Sequence, residues 1–311
     1  MKIDEIQQIY VVLEYDANND AALDRALMLA EGLSTEHKSP QITLLCPVYL
    51  SLLEHNLLFD EAQREAAREQ WLTTREQWLD HLIGGLKASH SNITGHLIYT
   101  ANAHDALLSE FDTTSQALVL KTPGKHHSFR DLFLPQKDWD LIRHCPLPTW
   151  LPVNSTPFKQ VIACIDPLHA SDPDHTRDRA IIETAQRVAH LTQAKLIILH
   201  TYLPLPNYLM FDAGITHPGQ QLETIRQQHQ QAAQSLLKEM GISDTSLRLL
   251  EGHAEQILRN EGQKNPETLI ILGATARGAI DSSVMGNTAE RVLQSSECEV
   301  LICPANQSTD C

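Results

Sequence analysis

The residues best placed to do chemistry lie in the loop Gly273-Ala-Thr-Ala-Arg277-Gly-Ala-Ile-Asp-Ser-Ser-Val-Met-Gly286-Asn287-Thr288-Ala-Glu290. Asn287 is of the type that caps a helix, and Glu290 three residues later completes a capping pattern. Gly286, just before the cap, lets a second backbone or a phosphate come close. The free N–H groups and dipole of such a helix form an anion site, and Arg277 can add charge to it. A glycine loop leading into an ordinary capped helix accounts for the same residues without any ligand. Asp166 ends an apolar run and has the chemistry to accept a ribose hydroxyl, or simply to close a turn. His126-His127, and His169 with Asp172, Asp174 and His175, are metal-ligand types, but in loops such residues are usually solvated, and no metal is expected.

Other chemistry is missing. There is no Walker lysine motif, no G-x-G-x-x-G and no G-x-S-x-G elbow, so the chain is expected not to be an enzyme, slow ATP hydrolysis being the catalytic alternative. The net charge of −15 and the lack of a basic stripe argue against nucleic acid as a partner, because duplex binding needs phosphate neutralisation. No apolar run approaches the roughly 20 residues that span a bilayer, so no membrane association is expected. The start, Met1-Lys-Ile-Asp-Glu-Ile, carries acids where a leader peptide is apolar. The six cysteines form no C-x-x-C pair, which suits reduced, buried thiols. A soluble cytoplasmic protein is the expectation.

The elements that must position these residues occur twice. Val11-Val-Leu-Glu-Tyr-Asp16 matches Ile162-Ala-Cys-Ile-Asp166, Leu118-Val-Leu120 matches Ile270-Ile-Leu272, and Thr149-Trp-Leu151 matches Val300-Leu-Ile302. The offset stays between 150 and 152 residues, which is the length of a whole domain rather than of a solenoid repeat. The Pro152-Val-Asn-Ser-Thr-Pro157 stretch is the expected linker, giving domains 1–153 and 157–311. Within the second copy, strands are expected at 160–165, 195–202, 246–250, 269–272 and 300–303. Helices are expected at 180–191, around 225–240 with Gly241 as stop, at 254–259 and at 289–294. Short apolar strands alternating with helices predict an α/β protein of two doubly wound parallel sheets, with ligands off the carboxyl ends of the strands.

On the strength of Gly273, Gly286 and the small polar residue after it, of Asp166, of Glu251-Gly252 and of the terminal Glu299-Val-Leu-Ile-Cys-Pro304, the chain resembles the universal stress protein family in its tandem, UspE-type form. The resemblance implies five-stranded, adenine-nucleotide α-hydrolase-like domains of strand order 3-2-1-4-5. It also implies a non-catalytic stress-resistance factor of the bacterial cytoplasm, including tolerance of DNA damage without DNA contact. The implied ligand is ATP or another adenine nucleotide with magnesium, held in the second domain by Asp166, Thr201, Gly273, Arg277, Gly286, Asn287 and Thr288.

The departures from the family pattern shape this expectation. Ala276 stands where the second glycine belongs, and Asn287 where Ser or Thr belongs. In the first copy Lys121 replaces the first glycine and Pro135-Gln136-Lys137 replaces Gly-Asn-Thr, so that copy is expected not to cradle a triphosphate. The alternative is an adaptor or sensor that has lost ATP and takes an apolar metabolite or a partner protein, with the loops 52–59 and 204–211 lining its site. Family domains pair through their last strands. Pro148 to Leu151 is therefore expected to meet Val300 to Cys303 in a pseudo-dimeric monomer, which can dimerise again.

Overall fold

The computed structural model describes residues 3–34, 39–54, 60–124, 141–170, 172–203, 218–274, 289, 291–293 and 298–304. They form two compact units, one running from β1 (Gln8–Val12) to β5 (Thr149–Leu151), the other from β6 (Gln160–Ile165) to β10 (Glu299–Cys303).

In the first unit β1 lies between β2 (Gln41–Val48) and β4 (Ala117–Lys121), with β3 (Ile93–Tyr99) outside β2 and β5 outside β4, and every pairing is parallel. In the second, β6 lies between β7 (Lys195–Tyr202) and β9 (Thr268–Gly273), with β8 (Leu247–Glu251) outside β7 and β10 outside β9, again all parallel. Each unit thus has the expected strand order 3-2-1-4-5. The inner strands are buried along their length: Val11, Leu118, Val161, Ile162 and Ile270 expose nothing. A strand covered on both faces needs apolar side chains on both, which is why these runs show no alternation.

The helices supply that cover. α1 (Asp20–Leu33) buries Ala22, Ala26, Leu29 and Ala30. α2 (Ser51–Glu54) is one turn, α3 (Glu61–Leu86) is capped by a reciprocal Asp60–Gln63 box, and α4 (Ala103–Glu110) follows β3. α5 (Thr176–Thr192) buries Ile181, Ile182, Ala185 and Val188. α6 (Pro218–Glu239) buries Ala233, Leu236 and Leu237. Gly241 ends it at φ +68°, with Ile242 N–H on the Leu237 carbonyl and Gly241 N–H on that of Lys238, a left-handed cap that suits glycine. α7 (Ala254–Lys264) runs five residues past its expected end. α5 starts four residues before its expected start, because Asp172 accepts the Thr176 and Arg177 amides and caps it early.

Candidate functional site

Three residues expected to bind a ligand fall within the described structure. All sit at the carboxyl ends of the second unit's strands: Asp166 just after β6, Thr201 as the penultimate residue of β7, Gly273 at the end of β9. The His200–Ile165 pair brings β7 and β6 to the same height. β6 pairs with β9 only as far as Ala163 and Ile271. Strand order reverses between β6 and β9, the place where doubly wound sheets hold ligands. Asp166, Thr201 and Gly273 are all half-buried. Among the described residues an added Cβ on Gly273 meets only Ile181 Cδ1, at 3.5 Å. Arg277, Gly286, Asn287 and Thr288, with Ala276, lie outside the described residues, as do Pro135, Gln136, Lys137 and the loops 55–59 and 204–211.

Asp178 has no mark in the residue pattern. It lies in the first turn of α5, 5% exposed, and its Oδ1 accepts the Asp166 backbone N–H at 3.1 Å. Its Oδ2 is buried with no hydrogen-bond partner among the described residues. Burial pushes its carboxyl up to about 6, with the charges of Asp172 and Asp166 adding to the rise and the Asp166 N–H opposing it. Asp178 therefore fixes the turn that presents Asp166. The candidate metal loop is otherwise engaged: Asp172 caps α5, and the Arg177 guanidinium donates to His169 Nδ1 at 3.2 Å. Among the described residues no three metal-ligating side chains converge. His126 and His127 lie outside them.

His200 was hidden in an apolar strand. It is 1% exposed, with Nδ1 at 3.1 Å from the Ile165 carbonyl and Nε2 at 2.7 Å from His229 Nδ1 on α6. Tyr202 stacks on His229 at 5.4 Å between ring centroids, and its hydroxyl reaches Glu251 at 3.4 Å.

Ladder register shows how the first unit differs, and it corrects two matches read from the sequence. Gln7 and Gln8 N–H donate to the Gln116 carbonyl as Lys159 and Gln160 N–H do to that of Glu267. Val119 pairs with Thr149 as Ile270 pairs with Val300. Counted from these, Glu14 rather than Asp16 takes the place of Asp166. Thr122 rather than Lys121 takes that of Gly273, and Lys121 stands where the second unit has Leu272. Asp16 instead occupies a tight turn at φ +60°. The Lys121 side chain is 6% exposed, and its ammonium lies 3.0 Å from Glu14 Oε1. Beyond them lie edge-on aromatic rings and guanidinium groups. Arg75 lies 3.5 Å from the centroid of Trp71 and 4.3 Å from that of Tyr15. Tyr99 donates to Glu54, which also pairs with Arg68.

The universal stress protein family model matches residues 157–304, the whole of the second unit's sheet. Residues 157–304 form a universal stress protein domain. Along its full length it is similar to Universal stress protein E of Escherichia coli K12, 22% identical over 97% of this chain and 95% of that protein. Solved structures share the tandem fold. A functionally unknown protein of Pseudomonas aeruginosa PAO1 covers 97% of this chain and 94% of its own at a TM-score of 0.71 and 23% identity. A universal stress protein of Archaeoglobus fulgidus covers 96% and 98% at 0.62 and 14%. At the strand ends the first unit carries the Lys121–Glu14 ion pair, where the second unit has Leu272 and Asp166. No described helix is long and apolar enough to cross a membrane.

Proposed function

We propose that the second unit holds a nucleotide or related phosphate ligand off the ends of β6 and β9, and that the protein acts by binding rather than by catalysis. The universal stress protein domain supports a stress-response function. Asp166, Thr201 and Gly273 serve the base and sugar side of the ligand, and Arg277, Gly286, Asn287 and Thr288 its phosphates. The resemblance implies ATP or another adenine nucleotide, with magnesium carried in on the phosphates, since no described cluster of side chains is built to hold a metal. The halves are 1–153 and 157–311, the ligand belongs to the second, and the setting is the cytoplasm.

The contrast at the strand ends carries this reading. Asp166 follows a strand whose neighbour ends in Leu272 and Gly273, whereas Glu14 is neutralised by a buried lysine. A ligand entering the first unit must displace an ion pair already made. Equilibrium dialysis with ATP at millimolar magnesium tests it. One nucleotide per chain is expected, lost in Asp166→Ala and kept in Lys121→Ala. Retention of none refutes nucleotide binding, and two per chain refutes its restriction to the second unit.

The reading as an adaptor for an apolar metabolite or partner protein is favoured by Leu168 and Leu203, 50% and 49% exposed beside the same strand ends. Mass spectrometry of solvent extracts of the purified protein decides it: a bound apolar compound supports this reading, an empty protein counts against it.

A further inference from the structure

We propose that the His200–His229 contact is an acid-sensitive latch fastening α6 to the sheet beside Asp166. The geometry allows a limited set of proton arrangements. The Ile165 carbonyl can only accept, so His200 Nδ1, 3.1 Å away, carries a proton. The 2.7 Å between His200 Nε2 and His229 Nδ1 then holds one proton between two ring nitrogens. A neutral pair satisfies this, and so does a pair with one added proton. A pair in which both rings are imidazolium points two N–H groups at each other across that gap, and the contact must open.

The surroundings leave little room for relaxation. His200 is 1% exposed. His229 lies between its ring, 4.9 Å away between centroids, and that of Tyr202. Among the described residues, the ionisable groups next to the pair are Tyr202 on β7, stacked on His229, with Glu251 on β8 and Glu223 and Arg226 on α6 acting on that tyrosine; Asp166, bonded to Asp178, follows Ile165, whose carbonyl His200 meets. Burial and Glu251 hold the Tyr202 hydroxyl protonated, so it stays neutral through the range in which imidazoles titrate. Opening frees α6 from β7 while His200 Nδ1–H stays on the carbonyl of the residue before Asp166, so the docking of the helix beside the strand end responds to acidification without any ligand being present.

Opening that takes up one more proton, at the ordinary imidazole pKa of about 6.5, becomes about thirtyfold easier at pH 5.0 than at pH 7.5. Hydrogen exchange of the full chain, read by mass spectrometry and corrected for intrinsic exchange, tests this on peptides from 218–239. A rise of about that size in α6 opening is expected in the native sequence, falling below about threefold in His229→Gln. The glutamine carboxamide can turn either its N–H or its C=O toward His200 at any pH. An equal rise in both proteins, or none in the native one, overturns the latch. Imidazole nitrogen resonances of the native protein give a second reading should His229→Gln fail to fold. Uptake of the second proton must coincide with loss of α6 protection, and a doubly protonated pair beneath a protected helix overturns the proposal.

Discussion

The Lys121 ammonium lies 3.0 Å from the Glu14 carboxylate, at the strand ends where the second unit has Leu272 and Asp166. The lysine is buried and the glutamate half-exposed. Removing one partner therefore does unequal things. Taking away the acid leaves a buried ammonium without its carboxylate, while replacing the lysine by an apolar residue of similar bulk leaves a carboxylate that water can reach. Glu14→Gln is expected to destabilise the first unit by about 1–3 kcal/mol, and Lys121→Leu by less than about 1 kcal/mol. Urea unfolding of both variants checks the order, and a larger loss in Lys121→Leu contradicts it.

Asp178 makes stability depend on pH in a definite direction. Its folded carboxyl is raised from 3.8 to about 6, so between those values the folded state binds the proton that the unfolded chain releases. Its contribution is fully present below about pH 4 and is lost as pH rises through 6. Asp178→Asn keeps an oxygen for the Asp166 N–H and removes the charge. The variant is expected to gain about 1–3 kcal/mol over the native protein at pH 7.5, a difference that vanishes near pH 4. Denaturant titrations at both pH values check it, and a gain that persists at pH 4 rules out the carboxylate as its source.

Gly95 on β3 faces Leu44 on β2 so closely that a Cβ would sit 2.7 Å from the Leu44 carbonyl oxygen and 2.8 Å from its Cβ. Neither atom is the free end of a flexible side chain. Gly95→Ala must push the two strands apart, at an expected loss of about 1–3 kcal/mol. Thermal unfolding measures this, and an unchanged midpoint shows that the strands separate freely.

Burial raises the thiols of Cys46 and Cys303 to about 11 from 9.0. At pH 8 the folded protein then holds about a hundredfold less thiolate at these positions than the unfolded chain. Alkylation with iodoacetamide, mapped by mass spectrometry, is expected to leave both unmodified until denaturant is added. Rapid labelling of either in the native state speaks against their burial.

Much of this architecture was legible in the residues. The apolar runs at 160–165 and 195–202, the helical spacing of Ile181, Ile182, Ala185 and Val188, and Gly241 as a stop all became the elements they suggested. The reason is local: short apolar runs, 3.6-residue spacing and left-handed caps are written in neighbouring residues. The duplication was legible too, because both copies repeat the same order of runs.

Register and side-chain partnership were decided only by the tertiary structure. A strand buried on both faces is apolar at every position, so sliding it by one or two residues leaves the pattern intact. Matching of runs therefore set Asp16 against Asp166 and Lys121 against Gly273, where the backbone ladder sets Glu14 and Thr122. The partners of the polar residues inside those strands were equally hidden. His200 finds His229 across 29 positions of chain and Lys121 finds Glu14 across 107, and Asp178 meets the Asp166 amide by reaching back from its helix. Chain order does not record distances of that kind, which exist only once the strands are stacked and the helices laid over them.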